Sequence, residues 1–210
     1  MSQGSATELL VLHAVRLKGM ADAEAVARRF GVERVKAAEL LLDAQAFGWI
    51  SWSEFAGTGG WSLTEAGRAE NERQLAAELD EIAGGRERVR TAYEVFLPFN
   101  TRLQKACTDW QLRPTAADAF AFNDHSDDAW DKAVIDELQR LDRELGLVVE
   151  QLSAVLDRFQ GYGTRFNRAL GRAMAGEAAG VDGTGVDSCH TVWFELHEDL
   201  IATLGLQRGE

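Results

Sequence analysis

The stretch Gly48-Trp49-Ile50-Ser51-Trp52-Ser53-Glu54-Phe55-Ala56-Gly57-Thr58-Gly59-Gly60-Trp61-Ser62-Leu63-Thr64-Glu65-Ala66-Gly67-Arg68 decides the fold. Trp49-Ile50-Ser51-Trp52 is aromatic and β-branched, and Trp61-Ser62-Leu63 is a second short extended run. Between them, Gly57-Thr58-Gly59-Gly60 offers the positive-φ residues that a hairpin tip needs. Thr64 is then placed to cap a helix whose first turn holds Glu65, Ala66 and Gly67. No other convincing strand pair is visible in the chain.

Outward from this hairpin, helical periodicity dominates. On its N-terminal side, Thr7 is expected to cap a helix ending near Gly19, with Leu9, Leu10, Leu12, Ala14, Val15 and Leu17 apolar. A short helix over 21–30 and a third over 33–47 follow, separated by Gly31 and stopped by Gly48. The helix after the hairpin runs to about Ile82, before Gly84-Gly85. From Arg86 onward the pattern predicts helices alone, over about 86–110, 127–159, 162–175 and 188–204. Pro98 removes one backbone hydrogen bond from the first of these and is expected to kink it. Residues 113–126 read as a loop with Phe120 and Phe122 tucked inward, and Gly176–Asp187 reads as a mobile surface loop.

The chain has 210 residues, of which 46% are apolar and 27% charged, so a packed core is expected and wholesale disorder is excluded. Its net charge of −12 excludes a general polyanion binder, and any nucleic-acid role must rest on a local basic patch. Cys107 and Cys189 are too few for a disulfide framework and fit a reducing compartment. Met1–Lys18 has no basic start followed by an apolar core, and no run approaches the ~20 apolar residues of a membrane span. The expected setting is therefore cytoplasmic, away from membranes.

Three helices, a glycine-tipped hairpin and a returning helix form the order of a winged helix-turn-helix. The Gly48-Trp49-Ile50 strand, the wing, and then the Leu63-Thr64-Glu65-Ala66-Gly67-Arg68 run resemble the MarR/PadR group of bacterial transcriptional regulators over about residues 6–82. The resemblance implies that the helix over 33–47 enters the major groove of operator DNA. Arg34, Lys36 and Glu39 would be its contacts, with Arg28 and Arg29 near phosphates. Between Arg16 and Lys36 six basic residues (Arg16, Lys18, Arg28, Arg29, Arg34, Lys36) face three acidic ones (Asp22, Glu24, Glu33), although residues 1–85 together carry −5. Two features depart from a DNA reader. The wing over 53–60 contains no Lys or Arg, and the third helix has a second apolar arc of Val35, Ala38, Leu42 and Ala46 opposite its core arc of Ala37, Leu40, Leu41 and Ala44. That arc leaves open a winged helix that docks another protein.

In the C-terminal half the segment Ser188–Ile201 is the most informative. A helical wheel puts Cys189, Trp193, Leu196, Leu200 and Ile201 in one arc together with His190 and His197, and Thr191, Glu195, Glu198 and Asp199 on the other side. Histidines in an apolar arc must be neutral and hydrogen-bonded, or meet a ligand or a carboxylate. Trp110, Trp193, His190 and His197 are thus the candidate ligand contacts for a small effector. A metal site is not expected. His190 and His197 stand ~10.5 Å apart along a helix, and a metal would need His125, Asp124 or Cys107 from elsewhere in the chain. Arg165, Arg168 and Arg172 recur as a basic stripe whose better match is the surplus of acids. No acid pair, Ser-His-Asp order, phosphate-cradling loop or redox motif points to an enzyme or to a cofactor.

The expectation is a mainly α protein: a winged helix-turn-helix domain over 1–85 with a small β-hairpin wing, then an α-helical effector or dimerisation bundle over 86–210. As a homodimer it would bind double-stranded operator DNA. Its rivals are a winged-helix adaptor for a protein partner and a small-ligand or metal sensor centred on His190 and His197.

Overall fold

The computed structural model describes residues 2–55 and 57–206. It is mainly helical, with one small two-stranded antiparallel sheet after the N-terminal helices. The order is α1 (Thr7–Lys18), α2 (Ala23–Phe30), α3 (Arg34–Ala46), β1 (Ile50–Phe55), β2 (Thr58–Leu63), α4 (Glu65–Asp80), α5 (Gly85–Gln111), α6 (Asp128–Ser153), a 3-10 turn (Asp157–Phe159), α7 (Tyr162–Met174), α8 (Ala179–Asp182) and α9 (Cys189–Leu204). Among the described residues no helix is long and apolar enough to cross a membrane. The chain divides into two compact units. The first takes residues 2–55, 57–87, Val155–Arg158 and 197–206; the second takes Arg88–Ala154 and Phe159–Leu196.

The core of the first unit gathers Val11, Leu12, Ala14 and Val15 of α1, Val26 and Ala27 of α2, Ala37, Leu40, Leu41 and Ala44 of α3, and Ile50 of β1. Burial of these apolar side chains is the main driving force for the packing. The hairpin is longer than the sequence indicates. Ile50 pairs with Leu63 and Phe55 with Thr58, so Gly59 and Gly60 lie in β2 rather than at the tip. Gly57 does carry the positive φ of a tight turn (79°), while Ala56, also part of the expected wing tip, lies outside the described residues. Gly60 is small for another reason. A Cβ there would stand 2.6 Å from Met20 Cγ, because Ala21 exchanges backbone hydrogen bonds with Trp61 (3.1 and 2.8 Å).

The Leu63–Arg68 run is a docking device. Thr64 Oγ1 accepts the Gly67 amide at 3.0 Å and donates to the Gly48 carbonyl at 2.7 Å, and the Thr64 amide donates to Trp49 O at 2.9 Å. A Cβ on Gly67 would fall 1.8 Å from that same Trp49 carbonyl. A side chain at residue 67 is therefore incompatible with this approach of α4 to the strand entering the hairpin. At α1 the expected cap is displaced by one residue: Thr7 is the first helical residue, and Ala6 before it has no side chain to cap with.

In the second unit, α6 buries Val134, Leu138, Leu141, Leu145, Val148 and Leu152 at alternating spacings of four and three. That is the apolar seam of a helix packed against other helices, and α6 packs on α7. The expected long helix over 127–159 ends early. Gln3 exchanges backbone bonds with Val155 (3.1 Å) and Asp157 (3.0 Å), and the bridge at Leu156 separates the end of α6 from the 3-10 turn. Nor is Gly176–Asp187 a free loop, since it contains α8, whose Gly180 and Val181 are buried. Helix α5 continues through Pro98.

Gly67→Ala should lower the stability of the chain by about 2–3 kcal/mol, the scale of a forced overlap in a packed site. Urea unfolding of the two chains measures it, and equal midpoints would show that α4 can shift without cost.

Candidate functional site

Helix α3 follows Glu33, whose carboxylate accepts the amides of Val35 (3.0 Å) and Lys36 (2.8 Å). These two amide bonds hold the Glu33 carboxyl below its ordinary range. The amino end of α3 is thus already occupied by an anion, so an external phosphate must be met by side chains. Arg34, Lys36 and Glu39 are all exposed, with Lys36 Nζ 3.9 Å from Glu39 Oε2. Arg28 on α2 is exposed and pairs with Glu24 at 3.3 Å. Arg29 does not join them. Its half-buried guanidinium lies 4.3 Å from the Phe30 ring centroid and acts electrostatically on the buried Asp199. Arg16, counted with the basic stretch, is also internal, donating to Glu198 and Glu72 at 2.9 Å each. The outward cations near α3 are therefore fewer than composition indicates, and the second arc of α3 is open to solvent: Val35 is 63% and Leu42 61% exposed. Phe47, also exposed, stacks on Trp49 with ring centroids 4.7 Å apart.

The effector contacts expected from the wheel of α9 differ in burial and in partners. His190 is exposed and lies in the second unit, whereas His197 is half-buried and lies in the first. Trp193 is buried in the second unit, stacked on Phe96 (4.7 Å) and tilted against Phe166 (5.9 Å), with Nε1 donating to Asn100 Oδ1 at 3.2 Å. Trp110 packs instead against His125 at 4.5 Å. Both indole surfaces are thus engaged by protein. Cys189 is buried, and burial, the largest influence, pushes its thiol up; Cys107 is pushed up to about 12 for the same reason. Neither provides a thiolate near neutral pH. Among the described residues no group of three or more His, Cys, Asp or Glu side chains is arranged to hold a metal ion.

Phe120 and Phe122 reverse the expectation, at 78% and 86% exposure. The segment folds back on the end of α5, with Arg113 donating to Ala121 O (2.9 Å) and Asn123 to Gln111 O (2.8 Å). Strand-like alternation then puts both phenylalanines on the solvent side, and Asn123 reaches Trp110 O (3.1 Å) and Asp131 (2.7 Å). His125, at φ 56°, sets Nδ1 2.8 Å from Asp131 Oδ2.

The acids of α9 are where the sequence reading fails most informatively. Glu195, Glu198 and Asp199, assigned to the polar side, are all buried. Glu195 meets Arg165 at 2.7 Å in the second unit, where Arg165 also binds Asp187 (2.8 Å) and Arg172 donates to Asp187 O. Asp199 is the centre of a network in the first unit. Arg158 Nη1 donates to Asp199 Oδ1 at 3.0 Å, Arg158 Nη2 to Thr203 Oγ1 at 2.9 Å, and Arg158 Nε lies 3.3 Å from Glu78. His13 Nε2 lies 3.0 Å from the same Asp199 oxygen, and its Nδ1 is 3.2 Å from Asn71 Oδ1. Burial pushes the Asp199 carboxyl up, but Arg158, His13 and Arg29 outweigh it and hold it far below the usual carboxylate range. The buried histidine of this protein is thus His13 of α1. The signal was present: His13 and Arg16 interrupt the otherwise apolar run Leu9–Leu17. No protein-family model, curated protein or solved structure matches the chain.

Asp199→Asn is expected to cost about 3 kcal/mol, because it leaves Arg158 buried with less than its full counter-charge. The pH dependence has a fixed direction. The folded-state carboxyl is depressed, so its stabilisation is complete above the unfolded value of ~3.9 and is lost as pH falls below it toward the folded value. Urea unfolding near neutrality and near pH ~3 should therefore show the two chains converging in acid, and an unchanged gap would remove Asp199 from that role.

Proposed function

We propose that the chain is a winged-helix transcriptional regulator that binds double-stranded operator DNA through α3, acting as a cytoplasmic homodimer. The observation that carries this reading is the exposure of Arg34 and Lys36 on a helix that seats Ala37, Leu40, Leu41 and Ala44 in the core, next to a β-hairpin. The order of α1 to α4 and the resemblance of Leu63–Arg68 to MarR/PadR regulators support it. The dimer is inferred from large apolar side chains left in solvent on the second unit, Phe120 and Phe122 above all. A second copy of the chain would cover them. An effector, if one exists, would act by favouring one spacing of the two copies of α3.

A second reading has its own observation. The exposure of Val35 and Leu42 also fits an adaptor that packs this face on another protein. A sensor centred on His190 and His197 has no comparable support, since His190 faces solvent and Trp193 is already stacked.

Anisotropy titration of a labelled duplex from upstream of its own gene, at two salt concentrations, tests the regulator. Affinity should fall as salt rises, and Lys36→Ala or Arg34→Ala should each reduce the salt slope by about one. Absence of binding at low salt would overturn the reading. A stoichiometric protein partner lost with Leu42→Asp would put the adaptor in its place.

A further inference from the structure

The outermost line of α3 is not basic. With the core side defined by Ala37, Leu40, Leu41 and Ala44, the residues pointing most directly away are Val35, Glu39, Leu42 and Ala46. All four are exposed. Arg34 and Lys36 stand on the two flanks of this line, each roughly 100° from it at 3.6 residues per turn. A helix lying in a major groove sets its outermost line against base edges and its two flanks toward the two phosphate backbones. The flanking cations thus match the phosphates, and the line between them must match base edges. Asp43 shares the Lys36 flank two turns further on, which confines phosphate contact to the first half of α3, the half that usually reaches base edges.

Aliphatic side chains recognise one feature of a base-pair edge, the thymine C5-methyl, and a carboxylate accepts from the cytosine N4 amino group. Resting on the DNA-binding reading above, we propose that α3 is a pyrimidine reader: Val35 and Leu42 pack on thymine methyls, and Glu39 accepts a hydrogen bond from a cytosine between them. Val35 and Leu42 are seven residues apart on one side of the helix, ~10.5 Å along its axis, which corresponds to about three base-pair steps. The partial pairing of Lys36 with Glu39 at 3.9 Å leaves that carboxylate solvated and able to turn to a base. A cytosine edge also relieves the repulsion that Glu39 would otherwise meet from the duplex.

The test starts from a pool of duplexes with a randomised centre, selected on the full chain. The best-bound duplex is remade with single thymines replaced by deoxyuracil, which deletes one methyl and keeps the pairing. Replacement of a contacted thymine should weaken binding about fourfold, the value of burying one methyl-sized group. In Val35→Ala or Leu42→Ala the thymine and deoxyuracil duplexes should bind alike at one position each, and Glu39→Gln should relax the preference at the cytosine. Both aliphatic residues are more than half exposed, so these variants should melt like the parent chain. A selected duplex bound equally with thymine and deoxyuracil at every position would overturn the pyrimidine reader while leaving the regulator standing. A pool from which no duplex is retained would overturn both.

Discussion

Asp199 has no exposure to water, and a carboxylate in that position must be met by cations or become neutral. The chain meets it with Arg158 from the 3-10 turn and His13 from α1, while Arg29 acts on it electrostatically from α2. Four separated segments of sequence are committed to one oxygen-rich point by this requirement. It accounts for the residues of α9 from His197 belonging to the first unit with α1 and α4. The second branch, Arg16 with Glu198 and Glu72, repeats the arrangement one turn further along α1. Pairs of this kind add little net stability over an apolar core, but removal of one member is costly.

The same internal demand shapes the exposed face. Arg16 and Arg29 look like part of a basic patch in the sequence, yet both are drawn inward by Glu198, Glu72 and Asp199. Arg28, Arg34 and Lys36 are the ones left to the surface. The exposed side of α3 therefore presents Arg34 and Lys36 on either side of a line that holds Val35, Glu39, Leu42 and Ala46.

Much of the first unit was legible because its signals are local. The hairpin follows from aromatic runs around Gly57, and the Thr64 cap and the glycine at 67 follow from the need to bring α4 against Trp49. The core arc of α3 was readable from spacing alone. What failed were inferences about which side of a helix meets water. On α9 the wheel sent Glu195, Glu198 and Asp199 outward and His190 inward; the reverse holds, because arginines distant in sequence offer partners that make burial of those acids tolerable. Phe120 and Phe122 failed for a different reason, since apolar character was read as burial although the local ladder turns both toward solvent.

By itself the sequence determined most of the elements: helices where apolar residues recur at helical spacing, one hairpin where they do not, and several stops where glycine permits a left-handed turn. These depend on contacts within a few residues, so they are written in neighbouring letters. Only the tertiary structure decided which charges are internal, which tryptophan faces are filled and which apolar residues remain in solvent. Burial of a charge depends on whether an opposite charge arrives from elsewhere in the chain, and no local pattern records that arrival.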